Sequence, residues 1–433
     1  MTSTDLHLWH PFTHEGGDPA PLVIRRSQGV FLETGDGRRI LDAISSWWVN
    51  LHGHSHPAIA EAIARQAARL EHVLFAGFSH EPAEELATRL GKIVPAPLRH
   101  IFFSDDGSTA VEVALKMALQ YWRNSGRPEK WRIVALENAY HGDTAGAMSV
   151  SDASPFTAAF ASFRLPVLRT HAASCAHCPV NLTRATCHIE CLQKLERLLA
   201  ERGQEIAALI VEPLLQGAGG MIVHPEEFLS GIRRLTAEYD VLLIADEVLT
   251  GFGRTGKMFA CERAGVVPDF LCIAKGLTGG FLPLAATLTT DRVQEAFTGA
   301  DRARAFFHGH SYTANPIACA AANANLQIFE SEPVFERIAA IEEAHAARLP
   351  VFAEHPHVAN VRHIGSVAAM ELKVPDAGYL SSLRPRLYEF YLDRNVLLRP
   401  LGNVVYILPP YVITPNQLDD VYDVIRDSLV LLS

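Results

Sequence analysis

The sequence predicts an α/β protein: a large domain on a mostly parallel central sheet, plus a smaller α+β domain drawn from both termini. Three observations predict it. Short runs apolar on both faces, such as 241–246, are too brief for helices and suit strands covered on both sides. Stretches with helical spacing of apolar residues separate those runs, which is the pattern of a parallel sheet with crossover helices. Beyond about residue 330 the order changes to paired helices followed by scattered strands.

In chain order, the first 50 residues hold short strand-like pieces at 23–25, 30–33 and 39–42, expected to pack with the small domain. The large domain is expected over 51–330. Its strands are predicted at 101–104, 208–212, 241–246 and 270–274, with a strand-like piece at 132–136. Helices are predicted at 57–71, behind Pro57 near the first turn, at 108–122 and at 226–238. A helix at 315–329 precedes the small domain, 331–433, which opens with a helix at 334–349. That domain should contain strands at 361–372 and 404–408 and helices near 381–394 and 415–432.

Composition narrows the function. Of 433 residues, 48% are hydrophobic and 20% charged, enough to bury a large core. The net charge of -10 argues against a nucleic-acid or acidic-membrane surface, which would call for a basic patch. Residues 1–14 lack the basic flank and apolar centre of a secretory signal, and no apolar run approaches the roughly 20 residues of a membrane helix. The expected location is therefore cytoplasmic. Four of the seven cysteines, Cys175, Cys178, Cys187 and Cys191, are spaced C-x2-C-x8-C-x3-C. That spacing reads either as a tetrahedral zinc site or as a surface insertion of reduced thiols; the site expected below uses no metal.

The chemistry is expected at strand ends. The run 241–245 delivers Asp246, and 270–274 delivers Lys275. The C-terminal rim of an open α/β sheet is where ligands bind, and a charge there is costly unless solvated, paired or used. An ion pair at the rim is one reading. The other is a lysine that holds pyridoxal 5'-phosphate through its aldehyde carbon, with an aspartate that keeps the pyridine nitrogen protonated. Such a cofactor needs a phosphate site. Asp105-Asp106-Gly107-Ser108-Thr109 lies between a strand and a helix start, where Gly107 permits close approach and free N–H groups suit a dianion. Asp105 and Asp106 must then point elsewhere. Tyr140 can stack on the ring. The string Gly251-Phe252-Gly253-Arg254-Thr255-Gly256 spells a dinucleotide fingerprint, but Asp246 and Glu247 intervene after the strand and no crossover helix follows.

Taken together, these residues resemble those of the class III, fold-type I pyridoxal-phosphate aminotransferases. The stretch Asp246–Gly256 with Lys275 29 positions after Asp246 carries the resemblance. Within that class the chain is similar to the 7,8-diaminononanoate synthases of biotin synthesis. The shared strings are Trp9-His10-Pro11-Phe12-Thr13, Ser45-Ser46-Trp47-Trp48, Ala139-Tyr140-His141-Gly142-Asp143-Thr144, Gln216-Gly217-Ala218-Gly219-Gly220-Met221 and Leu398-Arg399-Pro400-Leu401-Gly402.

The resemblance implies that Lys275 carries the cofactor, Asp246 contacts the pyridine nitrogen, Gly107 and Ser108 bind phosphate, and Tyr140 covers the ring. It implies a substrate site of Phe12, Trp47, Tyr140, Gly309 and Arg399, with Arg399 taking the carboxylate of 8-amino-7-oxononanoate. His310 and Ser311 would reach the phosphate of the neighbouring subunit, which implies a homodimer. Phe12 stands where members that use S-adenosylmethionine commonly carry Tyr. The string 308–313 is similar to a subgroup with lysine-using members, so the resemblance leaves both donors open. Another class III ω-aminotransferase, acting on ornithine, 4-aminobutyrate or a diamine, is the alternative.

Overall fold

The structure is a computed structural model that describes residues 8–14 and 20–432. The rest of the N-terminal stretch considered above, 1–7 and 15–19, lies outside the described residues.

A seven-stranded sheet forms the centre. Its order is Leu98–Ser104, Ala285–Thr290, Phe270–Ile273, Leu242–Asp246, Ile206–Val211, Arg132–Leu136 and Leu168–Thr170. Ala285–Thr290 runs antiparallel to both neighbours, and the other pairs are parallel. The inner strands are buried throughout, which accounts for their unbroken apolar sequences. The predicted strands recur within a few residues of these bounds. Two strands of this sheet went unpredicted. Leu168–Thr170 is only three residues long. Ala285–Thr290 (AATLTT) looks polar, yet it is buried because its threonines bond inward: Thr287 Oγ1 donates to Ala110 O at 2.8 Å, and Thr289 Oγ1 to Asp269 O at 2.8 Å.

Helices cover both faces. The helix Gly107–Asn124 buries Ala110, Val111, Ala114 and Ala118 on one face, in a cluster with Ile210, Ile244 and Phe270. The small residues at this seam let helix and sheet approach closely. On the other face, Glu226–Glu238 buries Phe228, Leu229, Ile232 and Leu235 in the main core. The predicted helix 57–71 stops at Ala67.

The chain ends share a sheet. Ile24–Gln28, Phe31–Thr34 and Arg39–Asp42 form an antiparallel meander, and Val396–Leu397 adds parallel to Arg39–Asp42. The predicted strand 361–372 is a hairpin, Val358–Ile364 with Val367–Leu372, extended by Val404–Ile407. The single apolar pattern conceals the turn at Gly365, whose φ of +53° and close approach to the backbone of Arg254–Gly256 leave no room for a side chain.

Candidate active site

Five parallel strands place chemistry on one rim. Ser104 leads into Gly107, Leu136 into Tyr140, Val211 into Glu212, Leu242–Asp246 ends in its own carboxylate, and Ile273 leads to Lys275. Gly107, Ser108, Tyr140, His141, Glu212, Asp246 and Lys275 all line one cavity of about 720 Å³.

At one end of the cavity is the start of the helix Gly107–Asn124. Asp106 turns its side chain back as the N-cap: Thr109 N donates to Asp106 Oδ1 at 2.9 Å, and Thr109 Oγ1 donates to Asp105 Oδ1 at 2.9 Å. Both carboxylates are thus occupied by Thr109, as a phosphate site requires. The first-turn N–H groups of Gly107 and Ser108 have no partner within the helix. Ser108 Oγ lies 2.7 Å from Thr144 Oγ1 and accepts from Thr144 N at 3.0 Å, so two hydroxyls and two amides converge there. A Cβ on Gly107 would lie 2.5 Å from Val248 Cγ1.

The carboxylate of Asp246 is buried. It does not form a rim ion pair with Lys275. One oxygen, Oδ2, lies 2.6 Å from His141 Nδ1, and the other accepts from Val248 N at 3.1 Å. Nε2 of His141 is buried without a partner, so the Asp246 contact is the ring's one polar anchor. Lys275 Nζ sits 5.3 Å from the centroid of the Trp48 ring. Burial pulls the Lys275 ammonium down from its ordinary pKa, opposed by Asp246, Glu212 and Asp106. The amine is therefore closer to the neutral form that can act as nucleophile or base.

Glu212 was not singled out from sequence, although it ends a predicted strand. It is buried, and its two oxygens accept from Tyr140 N at 3.0 Å and Gly217 N at 2.9 Å. One carboxylate thereby ties together the loops that carry Tyr140 and Ala218. Burial raises its pKa to about 7. The Tyr140 hydroxyl is pushed well above its ordinary value, by burial first and then by Asp143, Asp246 and Glu212, so it stays protonated.

A second cavity of about 230 Å³ adjoins the first. Phe12, Trp47, Tyr140 and Arg399 line it together with Lys275, Phe156, Tyr379 and Tyr406. The segment Ser45–Trp48 is strained here: Ser45, Ser46 and Trp48 have φ of +53°, +59° and +68°. Asp42, the Leu408 carbonyl and the Tyr406 hydroxyl hold it. Ile44 N and Ser46 N donate to Asp42 at 3.1 and 2.6 Å, Ser45 Oγ donates to Leu408 O, and Trp48 Nε1 donates to Tyr406 OH at 2.9 Å. The strain throws Trp47 outward, 42% exposed, beside the Phe12 ring at 5.3 Å and under the Arg399 guanidinium at 5.2 Å.

Gly309, His310 and Ser311 do not line either cavity of their own chain. Gly251–Gly256 opens no helix. Its Arg254 is 1% exposed, stacks on Tyr411, and donates to Pro409 O and Asn50 O at 2.9 Å, tying three segments together beneath the site. The four clustered cysteines are free thiols. Among the described residues no group of three or more His, Cys, Asp or Glu is arranged to hold a metal ion.

A lysine, an aspartate and a helix start on one sheet rim form a site that can hold an anionic cofactor, and the comparisons give the class of protein. The chain belongs to the class III aminotransferases, whose family pattern matches residues 12–429. An adenosylmethionine-8-amino-7-oxononanoate aminotransferase from Synechococcus elongatus is 49% identical over 98% of this chain and 98% of its own. The enzyme of the same name from Aquifex aeolicus is 41% identical over 97% of this chain and 94% of its own. The crystal structure of the Methanocaldococcus jannaschii enzyme of that name superposes with a TM-score of 0.90 at 37% identity, covering 97% of each chain. A PLP-bound amine transaminase from an uncultivated Pseudomonas species gives 0.92 at 32% identity, covering 99% of each.

The cofactor is pyridoxal 5'-phosphate. The residues fit it: anion-binding amides and hydroxyls at one end of the larger cavity, a buried carboxylate and a desolvated lysine on the same cavity, and an aromatic wall.

Proposed function

We propose that the protein aminates 8-amino-7-oxononanoate to 7,8-diaminononanoate in biotin synthesis, with S-adenosylmethionine or lysine as amino donor. The observation that carries this reading is the 49% identity, over 98% of both chains, to the Synechococcus elongatus enzyme named for that activity. The smaller cavity supports it. An apolar, aromatic wall suits a methylene chain, and Arg399 supplies one planar fork of donors for a terminal carboxylate.

In this reading Lys275 holds the cofactor, Asp246 faces its ring nitrogen, Gly107 and Ser108 take its phosphate, and Tyr140 covers the ring. Pyridoxal 5'-phosphate, when bound, supplies an electron sink and carries the amino group from donor to acceptor. Lys275 Nζ, kept toward neutrality by burial, would take the donor's α-proton and hand it to the cofactor's carbon, and in the acceptor half-reaction would move a proton the opposite way, from that carbon to the acceptor's. Asp246, oriented by His141, keeps a proton on the ring nitrogen electrostatically. Arg399 fixes the acceptor by its carboxylate, and Phe12 and Trp47 exclude water around its chain.

The active unit is a homodimer, in which Gly309 would line the substrate cavity and His310 and Ser311 the phosphate site of the neighbouring subunit. Support comes from the position of these residues outside their own cavities and from exposed Leu74, Phe78, Phe307 and Tyr312, the last two flanking them in sequence. The domain division at about residues 50 and 330 belongs to the same reading. Seven free cysteines accord with a cytoplasmic setting. Incubation with the acceptor and each donor, with mass-spectrometric detection of 7,8-diaminononanoate, tests the function. Product with one of the two donors is expected. No product, combined with turnover of ornithine, 4-aminobutyrate or a diamine, would overturn the substrate.

A further inference from the structure

Beside the small aromatic cavity lies a third and larger one, an open cleft of about 1080 Å³. Its walls are polar, with Asp152, Asn360, Arg362, Glu371 and Asn403 among them. Tyr140, Phe156, Ala218, Tyr379 and Leu401 line both the cleft and the small cavity, so the partition between them is one side chain thick. Phe156 is the hub of that partition. Its ring lies 4.4 Å from Tyr379, 5.9 Å from Tyr140 and 5.8 Å from Phe12, each edge-on.

We propose that Phe156 and Tyr379 form a door between the two spaces. When it opens, the polar cleft receives the far end of an amino donor too long for the small cavity. Three observations carry this. The small cavity, about 230 Å³, falls below the roughly 300–1,000 Å³ usual for sites that hold whole small molecules, and the cavity of about 720 Å³ that it adjoins is the cofactor's in this reading. The closing contacts are ring edges with no hydrogen bond between the side chains, which a single rotamer change breaks. The backbones behind both rings are held, so the motion belongs to the side chains. Thr157 Oγ1 donates to Asp152 O at 3.0 Å, and Gly378 N donates to Asn403 Oδ1 at 2.9 Å. The chemical class of donor follows from the walls. Its amine lies at Lys275 in an aromatic enclosure, while its tail is bulky and polar, matched to the ion pairs Arg362–Glu371 and Arg184–Glu227 that line the cleft.

This inference rests on the aminotransferase reading and deepens its donor side. The test is the donor half-reaction in single turnover, followed by cofactor absorbance, with isopropylamine as a compact donor and S-adenosylmethionine and L-lysine as long ones. Phe156→Trp, which thickens the door, is expected to shift the ratio of long-donor to isopropylamine rate constants at least tenfold against the long donors. Phe156→Ala and Tyr379→Ala are expected to shift the ratio of long-donor to isopropylamine rate constants at least tenfold toward the long donors. Equal factors for compact and long donors in all three variants would overturn the door and reduce the pair to packing. If the unmodified protein reacts with isopropylamine and with neither long donor, the door does not open for them and the proposal is overturned, while the aminotransferase reading stands.

Discussion

Substituting Gly107 by Ala should uncouple the helix start from the cofactor phosphate. The added Cβ would lie 2.5 Å from Val248 Cγ1, 3.1 Å from Cγ2 and 3.3 Å from Cβ. Carbon atoms in contact sit about 3.5–4.0 Å apart, so helix start and valine must separate by about 1 Å. Charge-assisted hydrogen bonds of about 2.7–2.9 Å do not survive such a shift. Losing one bond to a charged group costs about 1.5–3 kcal/mol, and weakening of a second brings the total to roughly 2–4 kcal/mol. The Kd for pyridoxal 5'-phosphate should therefore rise about 30- to 1000-fold. Equilibrium titration of apo-protein, read by cofactor absorbance, measures it. Val248→Ala removes both γ-carbons, so the double variant should recover at least tenfold of the loss, a coupling of about 1.4 kcal/mol or more. Affinity within threefold of the unmodified protein for Gly107→Ala, or a double variant as weak as the single, would refute the reasoning.

Asp246→Asn should retain cofactor but lose on the order of 3 kcal/mol of transition-state stabilisation, about a hundredfold in turnover, because a neutral amide cannot hold the ring-nitrogen proton; steady-state kinetics check it. Arg399→Ala should weaken the acceptor half-reaction by roughly 2–5 kcal/mol and spare the donor half, which separate single-turnover measurements distinguish. Acid should destabilise the fold through buried neutral histidines. Burial lowers His52 to about 3, His224 to about 4 and His345 to about 3. Their stabilising contribution is complete above the unfolded pKa of about 6.5 and is lost as pH falls toward the folded values, since only the unfolded chain binds the proton there. His345→Gln should therefore cut the slope of stability against pH by up to about 1.4 kcal/mol per unit between pH 6 and 4, measured by denaturant melts.

The residues legible in the sequence were those set by local pattern. Asp246 and Lys275 each end a short apolar run, and Gly107-Ser108 sits where a strand must turn into a helix. The residues that escaped act through distant partners. His141 was visible only as part of a shared string, and its bond to Asp246 spans 105 positions. Glu212 ended a predicted strand, a signal that could have marked it, but its two backbone partners are set by loops with no periodicity. Phe156 and Tyr379 lie in separate irregular segments, so their 4.4 Å contact has no local signature. The strand Ala285–Thr290 was hidden because its burial depends on threonine hydroxyls finding carbonyls on other elements.

The central claim is that Lys275 at this sheet rim holds pyridoxal 5'-phosphate. Borohydride reduction of the yellow holoprotein, followed by proteolysis and mass spectrometry, tests it most directly. The account predicts one reduced phosphopyridoxyl label, carried by the peptide that contains Lys275. A label on any other lysine, or cofactor that washes away after reduction, would contradict it.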